Sequence, residues 1–70
     1  MGEIRAEMVA NVWKVLVSEG DQVDDGDTLV ILESMKMEIP VLAESPGVVT
    51  KLHVAEGDVV QEDELIAEIG

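Results

Sequence analysis

The chain repeats itself. Ala10 to Val23 (ANVWKVLVSEGDQV) aligns with Gly47 to Val60 (GVVTKLHVAEGDVV) at an offset of 37, with seven of fourteen columns identical. A unit this short cannot bury its apolar side alone, so the two copies must complete one another. Solenoids need three or more units, so two copies imply a closed sandwich with pseudo-twofold symmetry. Beyond Val60 a one-residue slip aligns Asp63 and Leu65 with Asp27 and Leu29.

Each copy reads as strand, turn, strand. Alternation over Asn11–Val17 puts Trp13, Val15 and Val17 on one parity, expected to face inward, and Val12, Lys14 and Leu16 on the other. Glu19-Gly20-Asp21 and Glu56-Gly57-Asp58 read as matched turns in which Gly20 and Gly57 take positive φ. A second turn, Asp24-Asp25-Gly26-Asp27, is replaced by Gln61-Glu62-Asp63-Glu64 in the other copy. Thr28–Glu33 and Glu38–Ala43 are strand-like, and Pro40 assigns the latter to a sheet edge. Ser45-Pro46-Gly47 turns the chain into the second copy, and Leu65–Ile69 is expected to close a sheet beside Glu3–Met8. No segment sustains a 3.6-residue period, so no helix is expected. The fold class is all-β, a closed sandwich of two related halves.

Composition agrees and narrows the function. The 70 residues include no Phe, Tyr or Cys, so branched aliphatic side chains must build the core without disulfides. Sixteen acids against four bases give a net charge of −12, which argues against nucleic-acid binding because phosphate contacts need Lys and Arg patches. No apolar run reaches transmembrane length and no signal peptide opens the chain, so a cytoplasmic monomer without membrane contact is expected. One domain, residues 1–70, accounts for the sequence.

Few side chains offer chemistry. Asp21, Asp25, Gly26 and Asp27 resemble part of a calcium loop, but Val23 and Leu32 fill ligand positions, so a solvated acidic turn is expected. His53 is the only histidine and has neither metal-ligand company nor a nucleophile motif around it. Trp13 is expected to pack in the core. Glu33-Ser34-Met35-Lys36-Met37-Glu38 remains: a polar patch between two apolar strands, with Lys36 at the tip of a β-hairpin. Two-residue hairpin turns favour Asn-Gly or Asp-Gly because both central residues need positive φ. Here Met35-Lys36 breaks that rule, and a broken local rule points to a functional demand.

Met35-Lys36-Met37 within that hexapeptide resembles the attachment motif of biotin carboxyl carrier domains. The resemblance runs from about Met8 to Ile69, and is nearest to the small free-standing biotin/lipoyl attachment proteins of bacteria. It implies covalent biotin on Lys36, with Met35 and Met37 recognised by partners and Glu33, Ser34 and Glu38 completing the hairpin motif. It also implies a biotin protein ligase, and the carboxylase and carboxyltransferase components of a biotin-dependent carboxylase, as partners. The chain itself would be a carrier without catalysis, because an exposed lysine amine is mostly protonated at neutral pH and a ligase must activate it. Met35 and Met37 have a second expected role, capping the sandwich over Leu32 and Ile39. Lipoate on Lys36, alone or besides biotin, is the alternative; an unmodified interaction module is another. The pseudo-twofold puts the lysine at the end opposite residues 1 and 70, and the resemblance implies the same arrangement in a flattened barrel or sandwich of two four-stranded antiparallel sheets. Two departures stand out. Glu7-Met8-Val9-Ala10 replaces the proline-rich opening of the first repeat, so the bend there need not match the second, and no thumb-like insertion separates Gly20 from Lys36.

Overall fold

The computed structural model describes residues 2–70; Met1 lies outside the described residues. Eight strands run β1 (Gly2–Arg5), β2 (Ala10–Val15), β3 (Gln22–Val23), β4 (Thr28–Ser34), β5 (Met37–Leu42), β6 (Gly47–Leu52), β7 (Val59–Val60) and β8 (Leu65–Ile69). They form two four-stranded antiparallel sheets, ordered β1-β8-β6-β3 and β5-β4-β2-β7. β5 is an edge strand, as Pro40 requires. Leu29, Leu32, Val49, Val60 and Ile66 fill the space between the sheets, and no polar side chain is buried among the described residues.

The repeat is carried into every pairing. Leu32↔Ile39 and Val30↔Val41 in one sheet have counterparts 37 residues away in Ile69↔Gly2 and Ala67↔Ile4 of the other. The Gly20 N–H donates to the Val49 carbonyl and the Gly57 N–H to that of Val12, both at 2.8 Å, so each turn closes on the other half. Both glycines have φ of 94°, as expected.

The one-residue slip expected beyond Val60 is absent. Leu16 N–H bonds the Leu29 carbonyl and His53 N–H that of Ile66, which keeps the offset at 37. The counterpart of Gly26 (φ 90°) is therefore Asp63, which adopts φ 68°. Aspartate is one of the few residues that tolerate the left-handed region, so a turn with glycine in one copy persists without it in the other. The next residues finish the likeness: Asp27 accepts from Asp24 N–H at 2.8 Å, and Glu64 from Gln61 N–H at 2.9 Å.

Trp13 does not face inward. The register of β2 against β4 shifts between Val12 and Lys14, so Trp13 is the additional residue of a β-bulge. Val12 is buried, Trp13 is 42% exposed, and Val15 and Val17 return to the core side. A bulge inverts the parity that alternation alone assigns. The counterpart Thr50 occupies the same kind of bulge in β6. The Glu-Gly-Asp triplets hold both bulges: Glu56 accepts from Val15 N–H at 3.2 Å and Glu19 from Leu52 N–H at 3.0 Å. In the same triplets Asp21 and Asp58 accept from Ser18 and Ala55 N–H groups at 2.8 and 2.9 Å.

β1 ends at Arg5, short of Met8, and the chain then bends over Glu7-Met8-Val9 as it does over Glu44-Ser45-Pro46. Both bends follow a buried alanine, Ala6 or Ala43, whose N–H bonds the Glu64 or Asp27 carbonyl at 2.9 or 2.8 Å. The missing proline leaves this bend unchanged because the alanine anchors it. β2 leaves the row of Glu33 and runs away from the hairpin tip to Gly20, which bonds Val49 beside Ile69. Gly70 thus sits at the end far from Lys36, as expected; Met1, the other residue expected there, lies outside the described residues.

Candidate functional site

β4 and β5 pair from Thr28↔Leu42 to Ser34↔Met37, leaving two residues, Met35 and Lys36, to reverse the chain. Their φ angles are 52° and 65°, the positive pair that marks a type I′ turn. Holding an ordinary residue in the left-handed region costs about 1–2 kcal/mol, and here two adjacent ones bear it. The strands beneath supply the support. Val30 and Leu32 on β4 are fully buried, and Ile39 and Val41 on β5 pack against the core.

All six hairpin residues gather at this tip. Lys36 is exposed and takes part in neither the Arg5–Glu3 ion pair nor the His53–Glu68 hydrogen bond found among the described residues. Glu33 pairs with Glu38 across the strands, both exposed, and the half-buried Ser34 pairs with Met37. The expected cap over Leu32 and Ile39 is not formed. Met35 is 92% and Met37 65% exposed, while Leu32 is buried without them. The physical reason is the turn itself: positive φ at Met35 carries its side chain beyond the last strand pair.

Residues weighed for other chemistry lie elsewhere. The Asp21 and Asp27 carboxylates are engaged by backbone N–H groups of their own turns. Among the described residues, no three His, Cys, Asp or Glu side chains are placed to hold a metal ion. His53 Nε2 lies 2.9 Å from Glu68 Oε2 on the other sheet. The Glu3 carboxylate, hydrogen-bonded to Arg5 at 2.9 Å, raises the pKa of that guanidinium. Two shallow hollows share Arg5, Glu7 and Glu44 and include no residue of the tip. The chemistry the tip offers is that of a primary amine held clear of the surface on a rigid hairpin. Sequence reasoning missed Glu19 and Glu56, although their recurrence at the repeat offset was the available signal.

Residues 1–69 match the biotin/lipoyl family model, described as "Biotin-requiring enzyme". The chain belongs to the biotin/lipoyl family. Within it, the chain is 61% identical to the biotinylated protein TB7.3 homolog of Mycobacterium leprae, covering 96% of this chain and 94% of that one. The urea carboxylase of Kluyveromyces lactis superposes with a TM-score of 0.92 at 35% identity over 99% of this chain, which spans 6% of the carboxylase. The lipoyl domain of the 2-oxoglutarate dehydrogenase complex from Azotobacter vinelandii gives a TM-score of 0.83 at 27% identity, covering 97% and 94% of the two chains. No helix among the described residues is long and apolar enough to cross a membrane.

Proposed function

We propose that this chain is a single carrier domain, residues 1–70, whose Lys36 holds biotin through an amide bond. The observation that carries this is the Met35-Lys36 turn: two non-glycine residues at positive φ present one unpaired amine at the tip of a buried-based hairpin. Such an amine fits covalent attachment, since no ion pair among the described residues engages it. A biotin protein ligase would take its proton and supply the activated acyl group, so the bond forms between Nζ and the carboxyl carbon as the activating group leaves. Attached biotin supplies a ureido nitrogen able to take up and release carboxylate.

The chain's own residues do the rest. The β4–β5 hairpin fixes where the arm begins, and tethering replaces diffusion between active sites by a high effective concentration. Met35 and Met37 offer soft, adaptable contacts to ligase and carboxylase components, with Glu33, Ser34 and Glu38 shaping the tip. The protein is a substrate and carrier, not a catalyst. It works in the cytoplasm, where ATP-dependent ligation takes place, and its charge of −12 favours a monomer. Biotin is preferred to lipoate because the 61% identical relative is a biotinylated protein, whereas the lipoyl domain is 27% identical.

Intact mass and peptide mapping after co-expression with a ligase test this. One biotin per chain on Lys36 is expected, with none on Lys36→Arg. Label on Lys14 or Lys51, or lipoate in place of biotin, would overturn the assignment.

A further inference from the structure

We propose that the outer face of the lysine-bearing sheet, across β5, β4 and β2, is the docking surface for the ligase that modifies Lys36. The surface it fits is apolar at its centre and rich in Lys and Arg toward the hairpin tip. The inference rests on the reading of Lys36 given above and adds to it a contact remote from the lysine.

The pseudo-twofold supplies an internal control. Ile31 pairs with Pro40 on one side and Lys14 on the other, with the bulged Trp13 alongside. One row further from the tip, Leu42 lies opposite Thr28, and Leu16 bonds to Leu29. Trp13, Leu16 and Leu42 are 42%, 53% and 43% exposed, Pro40 is exposed and Ile31 half-buried. The counterparts of Trp13, Leu16, Ile31, Pro40 and Leu42 on the other sheet are Thr50, His53, Glu68, Glu3 and Arg5. Backbone, register and bulge are shared, so folding does not demand apolar side chains at these five places. One half of the same fold carries polar or charged groups at all five.

The polar face satisfies itself. Arg5 bonds Glu3 and His53 bonds Glu68, each at 2.9 Å, and the Thr50 hydroxyl donates to the Glu68 carbonyl at 3.1 Å. On the apolar face only Lys14 Nζ answers Trp13, 5.4 Å from the ring centroid. A contiguous exposed apolar patch of this kind marks a site of contact.

Charge selects the occupant. Between the patch and the tip lies the row Glu38–Glu33–Asn11, in which two carboxylates face each other across strands. Like charges so placed are destabilising, and basic side chains of a partner would offset the repulsion. A second copy, itself at −12, would add to it. The patch also rides on β4 and β5, the two strands that end at Lys36, so a partner seated there receives the amine in a fixed position.

The test exchanges residues between counterpart positions: Trp13→Thr and Leu16→His, singly and together, with Thr50→Trp and His53→Leu as controls on the other sheet. Labelling is followed with excess biotin and ATP against carrier concentration, alongside thermal melts and sedimentation. The double variant should melt near the parent and raise KM by about tenfold or more, as loss of a tryptophan contact does, with kcat within about twofold. The controls should leave both unchanged. Leu42→Arg, which replaces a different residue of the patch, should raise KM likewise and decides the question if the double variant melts early. Unchanged KM in all patch variants, with the parent labelled on Lys36, overturns the docking surface and leaves the carrier reading intact. A parent dimer that the double variant dissolves would assign the face to a second copy and also overturn it. A parent that takes no label overturns the carrier reading, and this inference with it.

Discussion

Lys36 and Asp63 are both non-glycine residues held at positive φ, 65° and 68°, for different reasons. At Asp63 the demand is structural, because its counterpart Gly26 holds the same turn at φ 90°. Replacing Asp63 by Gly exchanges backbone strain for a more flexible unfolded chain, two effects of about 0.5–2 kcal/mol and opposite sign. Asp63→Val keeps the strain, adds a branched Cβ and loses aspartate's tolerance. We expect Asp63→Gly to be neutral or stabilising and Asp63→Val to lose more than about 1 kcal/mol, read from urea midpoints. Equal midpoints for the two would show that the turn does not need positive φ there. The tip lysine was legible in the sequence because Met-Lys-Met broke a turn rule in plain view. Asp63 was not, since its own rule was broken by the residue that best hides the breach, and the slip placed there followed from that.

At the scale of the element, the strands were legible and their faces were only partly so. Apolar runs and turn residues located β4, β5 and β8 to within a residue or two. The bulges at Trp13 and Thr50 were invisible to alternation, which assumes that no residue is added. What holds those bulges is written twice in the chain, in Glu19 and Glu56, and it becomes readable only when the two halves are brought together. Each carboxylate accepts one N–H just past the bulge of the other half. Glu19→Ala and Glu56→Ala should each cost about 0.5–1.5 kcal/mol, the net worth of one such bond, and the double variant about the sum. Glu→Gln at either position keeps an acceptor and should lose less. Chemical denaturation of the five variants and the parent checks this; alanine variants as stable as the parent would mean that water serves the bulges as well.

The whole molecule carries a charge of −12 on a body 31 by 17 by 17 Å. Screening length is about 30 Å at 0.01 M salt and about 3 Å at 1 M, so the acidic groups repel across the entire domain in the first case and only their neighbours in the second. Added salt should therefore raise the melting midpoint by several degrees, the shift that about 1 kcal/mol produces in so short a chain. Sodium and potassium chloride should act alike; a rise with divalent cations alone would point to bound ions in place of screening. The pseudo-twofold has its own consequence at this scale. β8 and β1 pair as β4 and β5 do, so the break between Gly70 and Gly2 falls where the other half has its hairpin. Twice the offset of 37 is 74, four more than the chain's 70 residues. Joining Gly70 to Met1 through four added residues patterned on Ser34-Met35-Lys36-Met37 would therefore close these 70 residues into a ring. A closed ring could then be cut at the present tip and opened as a permuted chain, with the displayed lysine moved to the opposite pole and the same eight strands between.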